Sequence, residues 1–287
     1  MKRKSSIFGI AGLITMLLLA ACGGSGTTGN SSPTATSTKT SNTITANATL
    51  KHVPSGTADL SWDLVSRALT VKVMLSGLAP NSIHPAHIHK GSCSNQGAVL
   101  YPLQNIVADA AGNGSSTTKI MNVTTGILGT GWYINVHNGP GLTPADQFLP
   151  IVCGDITNSH PSITASQSLR VTLDAAPGAS MDQAAMGTAQ LSLTGSTLTV
   201  KLTLSGLAPN SAHAAHIHSG SCTNQGSVVY PLQNVTADAS GKATVTTTIH
   251  NVKSIPASGW YVNVHHSTQL TNQTGFDPIA CGNVTLG

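Results

Sequence analysis

Histidine in this chain is concentrated in two short, nearly identical strings. His84-Pro-Ala-His87-Ile-His89-Lys-Gly-Ser-Cys93-Ser-Asn-Gln-Gly97 recurs as His213-Ala-Ala-His216-Ile-His218-Ser-Gly-Ser-Cys222-Thr-Asn-Gln-Gly226. A second block, Gly131-Trp-Tyr-Ile-Asn-Val-His137 followed by Pro150-Ile-Val-Cys153-Gly-Asp-Ile156, recurs as Gly259-Trp-Tyr-Val-Asn-Val-His265 and Pro278-Ile-Ala-Cys281-Gly-Asn-Val284. Each copy thus carries three close imidazoles, a distant one and two cysteines, the raw material of a metal site pinned by a crosslink. Imidazole nitrogen suits copper, zinc, nickel and iron, and at comparable sites divalent affinity peaks at copper.

Such a site needs strands to present it. Side chains two apart on a strand share a face, so His87 stands beside His89 and His216 beside His218. In the second block Trp132, Ile134 and Val136 share one face, which leaves Tyr133, Asn135 and His137 on the other, where a neighbouring strand would bring His137 to the pair. The same reading places His265. Period-two segments rich in β-branched residues, Ala68-Leu-Thr-Val-Lys-Val-Met-Leu75 and Ser196-Thr-Leu-Thr-Val-Lys-Leu-Thr-Leu204, run into Ser-Gly-Leu-Ala-Pro-Asn-Ser turns at 76–82 and 205–211. Further turns are expected at Asp109–Gly112 and Asp238–Gly241. Short strands with frequent turns indicate an antiparallel sandwich or barrel. The competing reading of the histidines is a polar, solvated sheet face; repetition shows common descent and does not by itself show ligand function.

Composition agrees with an all-β chain. Charged residues are 8% of the 287, glutamate is absent, and Thr, Ser, Gly, Val and Ala dominate. The formal charge of +4 includes Lys2, Arg3 and Lys4; without these the 13 basic residues fall to 10 against 9 acidic. Near-neutrality and 3% aromatics exclude nucleic acid as a partner. Seryl-hydrolase, phosphate-loop and paired-carboxylate motifs are also missing. The basic start, the uncharged run Ile7–Ala21 and the sequence Leu19-Ala20-Ala21-Cys22 read as a leader ending in a bacterial lipobox, with Cys22 lipidated. Membrane anchoring and a place in the bacterial cell envelope, outside the cytoplasm, follow as expectations. The expected organisation is a leader at 1–21, a lipidated cysteine and Ser/Thr-rich tether at 22–47, domain 1 at 48–157, a linker at 158–168 and domain 2 at 169–287. In an oxidising compartment the four remaining cysteines allow three pairings, and the repeat selects Cys93 with Cys153 and Cys222 with Cys281. A thiolate-ligand role for Cys93 beside His89 is the competing reading.

The ordered string from Gly77-Leu-Ala-Pro-Asn-Ser through the histidines, Cys93, Leu103–Gly112, Val136-His137 and Cys153-Gly154 resembles the copper/zinc superoxide dismutase family, and the resemblance covers most of both copies. The His-Ile-His and Tyr-Ile/Val-Asn-Val-His motifs are equally similar to the chordin-type (CHRD) domain. The resemblance implies two tandem antiparallel Greek-key β-sandwich domains. It implies copper-ligand positions for His87, His89, His137, His216, His218 and His265, a structural or fourth-ligand position for His84 and His213, and the two disulfides already selected. The departures bear on chemistry. Gly97 leads within six residues to Leu103 where dismutases insert a zinc loop, and no histidine lies between His89 and His137, so the bridging histidine and the zinc site are missing. His250 aligns with Met121 and reads as an exposed strand residue; His160, without a counterpart, reads as a surface residue. Residues 145–152 and 273–280, where the family keeps an anion-guiding arginine, hold no basic residue, and Lys90 is replaced by Ser219 in the second copy. Three functions remain open at this point: a copper-binding module, a weak copper-only dismutase, and a metal-free CHRD-like surface binding or scaffold module.

Overall fold

The computed structural model describes residues 42–176 and 181–287. The expected leader, Cys22 and most of the expected tether lie outside the described residues. In chain order the first half holds β1 (Thr43–His52), β2 (Ser55–Asp63), β3 (Ala68–Ser76), β4 (Ile83–His84), β5 (Ala86–Ser92), β6 (Asn95–Pro102), β7 (Ile106–Ala108), β8 (Gly114–Ile120), β9 (Trp132–His137), the short helix α1 (Ala145–Phe148), β10 (Pro150–Ile156) and β11 (Gln167–Leu173). The second half holds β12 (Met186–Thr194), β13 (Thr197–Ser205), β14 (Ala212–His213), β15 (Ala215–Ser221), β16 (Asn224–Pro231), β17 (Val235–Thr236), β18 (Ala243–His250), β19 (Trp260–His265), α2 (Gln273–Phe276), β20 (Pro278–Asn283) and β21 (Thr285–Leu286). The strand pairs are antiparallel, as the sequence implies.

Alternation decides which face each strand buries. Leu69, Val71, Val73 and Leu75 of β3 point inward while Lys72 points to solvent, and Leu198, Val200, Leu202 and Leu204 of β13 repeat the pattern. The turns form where expected: Gly77 and Gly112 take positive φ of 79°, a backbone region glycine enters without a Cβ penalty, and Asn81 joins them at 62°. Two cores result. The first gathers Ala58 to Ile156 with Val171 and Leu173; the second gathers Ala185 to Val284 with Ala46, Ala48 and Leu50. Each is a β-sandwich, with sheets β10-β9-β5-β6 and β11-β2-β3-β8-β7-β4 in the first, and the continuous order β16-β15-β19-β20-β1-β12-β13-β18 in the second.

Core membership departs from the domain limits read from sequence. The strand opening each copy does not pair within that copy: β11 pairs with β2 along Gln167–Leu173, and β1 pairs with β12 along Thr43–Leu50 and with β20 at Lys51–His52. Each sandwich is completed by the opening strand of the other copy, β11 in the first and β1 in the second. Residues 43–47, expected in the tether, are therefore strand, because Ile44, Ala46 and Ala48 continue the alternation of Leu50. Gly154 and Gly282 mark the crossings, where a Cβ would run into the carbonyl of Thr172 or Thr49. The two sandwiches also touch directly: Gln225 Nε2 donates to Leu78 O at 2.9 Å, and Gln273 Nε2 to Ile83 O and Asn138 O, each at 2.9 Å.

Candidate metal centres

β9 lies against β5 in a register that sets His87 opposite Asn135 and His89 opposite Tyr133. That pairing carries His137 to the two strand histidines. The ring centroids of His87 lie 5.5 Å from His89 and 5.2 Å from His137, and those of His89 and His137 are 6.4 Å apart. In the second copy His216, His218 and His265 repeat these separations at 5.5, 5.2 and 6.1 Å. In each triad one nitrogen per ring lies within 4.8 Å of the others, an arrangement able to hold a metal ion. His84 and His213 stay outside the triads. The ring of each is buried, its Nδ1–H donates to the carbonyl of His137 or His265 at 2.9 Å, and its Nε2 lies 2.7 or 2.6 Å from the hydroxyl of Ser82 or Ser211. They brace the distant histidine from behind.

Hydrogen bonds fix which nitrogens face the centre. His89 Nδ1 is 3.0 Å from Gly97 O and His137 Nδ1 is 2.6 Å from Phe148 O; a carbonyl only accepts, so both Nδ1 atoms carry the proton and leave Nε2 as a lone pair. Gly226 O and Phe276 O do the same for His218 and His265 at 3.0 and 2.6 Å. This is the outer-shell pattern that fixes the tautomer of a metal-bound histidine. The inward atoms then have little to bind. His216 Nδ1, His218 Nε2 and His265 Nε2 are buried without a hydrogen-bond partner, as is His89 Nε2, while His87 Nδ1 sits 3.2 Å from His137 Nε2. A solvated polar face does not account for this, because a buried lone pair without a partner costs free energy.

Burial lowers the pKa of His87 and His265 to about 4, and neighbouring imidazoles push the same way; burial also holds His137, His216 and His218 below the usual histidine value. The rings are neutral, and so ready to ligate, at pH values where an exposed histidine is already charged. A stability effect follows. Unfolded histidines take up protons near pH 6.5 and the folded rings of His87 and His265 only toward pH 4, so in that window the unfolded state binds more protons and stability falls as pH drops. The metal-free protein should have a lower urea midpoint at pH 5 than at pH 7; equal midpoints would show that the rings are not buried.

The disulfides Cys93–Cys153 and Cys222–Cys281 close each copy on itself, which removes the thiolate-ligand reading of Cys93. Cys93 and Cys153 pack with Tyr133, whose ring stacks on His89 at 5.0 Å; Tyr261 stacks on His218 at the same distance. His160 and His250 are exposed, as expected for residues without a ligand role. Sequence reasoning did not single out Phe148 and Phe276, whose carbonyls orient the distant histidines and whose rings lie 5.0 and 4.9 Å from them. A signal existed in the Phe-x-Pro-Ile-x-Cys-Gly string shared by both copies. The copies differ at the residue after the distant histidine: Asn138 in the first is His266 in the second, whose Nδ1 lies 3.1 Å from Asp182 Oδ2.

Fold and site together define a tandem β-sandwich protein with a histidine triad in each sandwich, two of its rings buried and the third half-buried. A family model described as the CHRD domain matches residues 31–140 and 168–271, most of the chain in two segments, and the chain belongs to that family. No curated protein matches the sequence.

Proposed function

We propose that each triad holds one copper ion and that the protein is a copper-binding module, carried outside the bacterial cytoplasm on a lipid attached to Cys22. The observation that carries this reading is the second triad, where three buried imidazole nitrogens without partners turn on one point. An all-imidazole donor set with the tautomer fixed at two rings of each triad suits copper, which a comparable site binds more tightly than zinc. The resemblance of the His-x-x-His-x-His string to copper/zinc superoxide dismutases supports the choice, and the missing zinc loop argues against zinc. The residues before Cys153 and Cys281 offer no basic group to guide an anion, which favours holding the metal over turnover of superoxide. The disulfides suit an oxidising compartment and so support the location.

Titration of residues 42–287 with Cu(II), followed by electron paramagnetic resonance, should saturate at two ions per chain with nitrogen coordination. Replacing His87 and His89 together by alanine should leave one ion, bound in the second sandwich. A metal-free scaffold would give no saturable nitrogen-coordinated signal, and unchanged stoichiometry in the double variant would remove the assignment.

A further inference from the structure

β1 completes a sandwich from which it is separated in sequence by more than a hundred residues, and it runs into β2 of the other sandwich through Val53 and Pro54 alone. The slot it fills lies between β12 on one side and β20 with β21 on the other. Ala46, Ala48 and Leu50 enter the second core, and the backbone of Thr49 passes over Gly282, where a side chain would collide with its carbonyl. The slot therefore reads an extended strand with small side chains at two alternate positions and leucine at the third. It does not read covalent continuity.

The two slots also read different strands. Arg170 of β11 stands opposite Asp59 of β2, and its Nε and Nη2 donate to the two carboxylate oxygens at 2.6 and 2.9 Å. The equivalent pair in the second sandwich is neutral, with Asn47 opposite Gln190. In the first slot β1 would set Asn47 opposite Asp59 and lose the two-point Arg170 pair, leaving only Lys72 beside the carboxylate, so β1 is matched to the second.

We propose that the second sandwich is a strand-accepting site whose partner is a second copy of this chain, donating residues 43–52. Within one chain the strand is favoured over the same strand of another copy by its effective concentration, so a second copy competes as protein concentration rises. The donated strand lies beside β20, which pairs with the strand carrying His265, and so completes the sheet under the second triad. The inference does not depend on metal.

The test is refolding of the full chain from denaturant at increasing concentration, with mass read by light scattering. The dimer fraction should rise with concentration. An excess of a synthetic peptide of residues 43–52 should suppress the dimer and remain bound at one per chain, whereas the peptide carrying Ala48→Arg should do neither. Monomers at every concentration, or dimers indifferent to the peptide, would overturn the proposal.

Discussion

A fragment spanning residues 53–174 is expected to unfold in one cooperative transition, and a fragment spanning 48–157, the first copy as sequence similarity delimits it, is expected to show none. The longer-reaching fragment contains every member of the first core, including Val171 and Leu173 of β11. The other lacks both. Burial of each such side chain contributes about 1.5–3 kcal/mol, so their loss removes several kcal/mol from a domain whose whole stability is of order 5–15 kcal/mol. It also leaves β2, otherwise hydrogen-bonded to β11 from Gly56 to Trp62, as an unprotected edge. Circular dichroism during urea titration separates the outcomes. A cooperative transition in 48–157 would mean that the first sandwich closes without β11.

Replacing Cys222 and Cys281 together by alanine should lower stability by about 4 kcal/mol, because the bond closes a loop of 59 residues and the unfolded chain without it gains that freedom. The loss should appear in the second sandwich, with the first triad unaffected. Metal binding provides the finer readout. Cys222 follows the strand that carries His216 and His218, and Cys281 lies in the strand paired with that of His265, so the bond ties both sources of the second triad together. Copper affinity should weaken at that site and hold at the first. Equal weakening at both would show that the two sandwiches unfold as one.

Much of this was legible from residue spacing. Alternation in Ala68–Leu75 and its copy gave the strands and their inward faces, and the Gly-Leu-Ala-Pro-Asn-Ser strings gave turns that glycine and asparagine enter with positive φ. The histidine pairs were legible because side chains two apart on a strand must share a face. His137 was readable as a companion from the same rule, since Trp132, Ile134 and Val136 claim the other side of β9. The tautomers were not legible. They depend on carbonyls of Gly97 and Phe148, and any residue supplies a carbonyl, so side-chain identity carries no mark of which one turns toward a ring. The double engagement of His84 was hidden for the same reason, its partner being the backbone of His137.

The sequence by itself determined that the chain is built twice from β-strands, which cysteines pair, and which imidazoles stand together, because these follow from periodicity and from repetition. Only the tertiary structure decided which sandwich each opening strand belongs to. β1 and β11 carry the same alternating pattern and either would bury an apolar edge in either slot. The strands are told apart by contacts remote in sequence, by Arg170 with Asp59 in one sandwich and by the packing of Ala46, Ala48 and Leu50 in the core of the other.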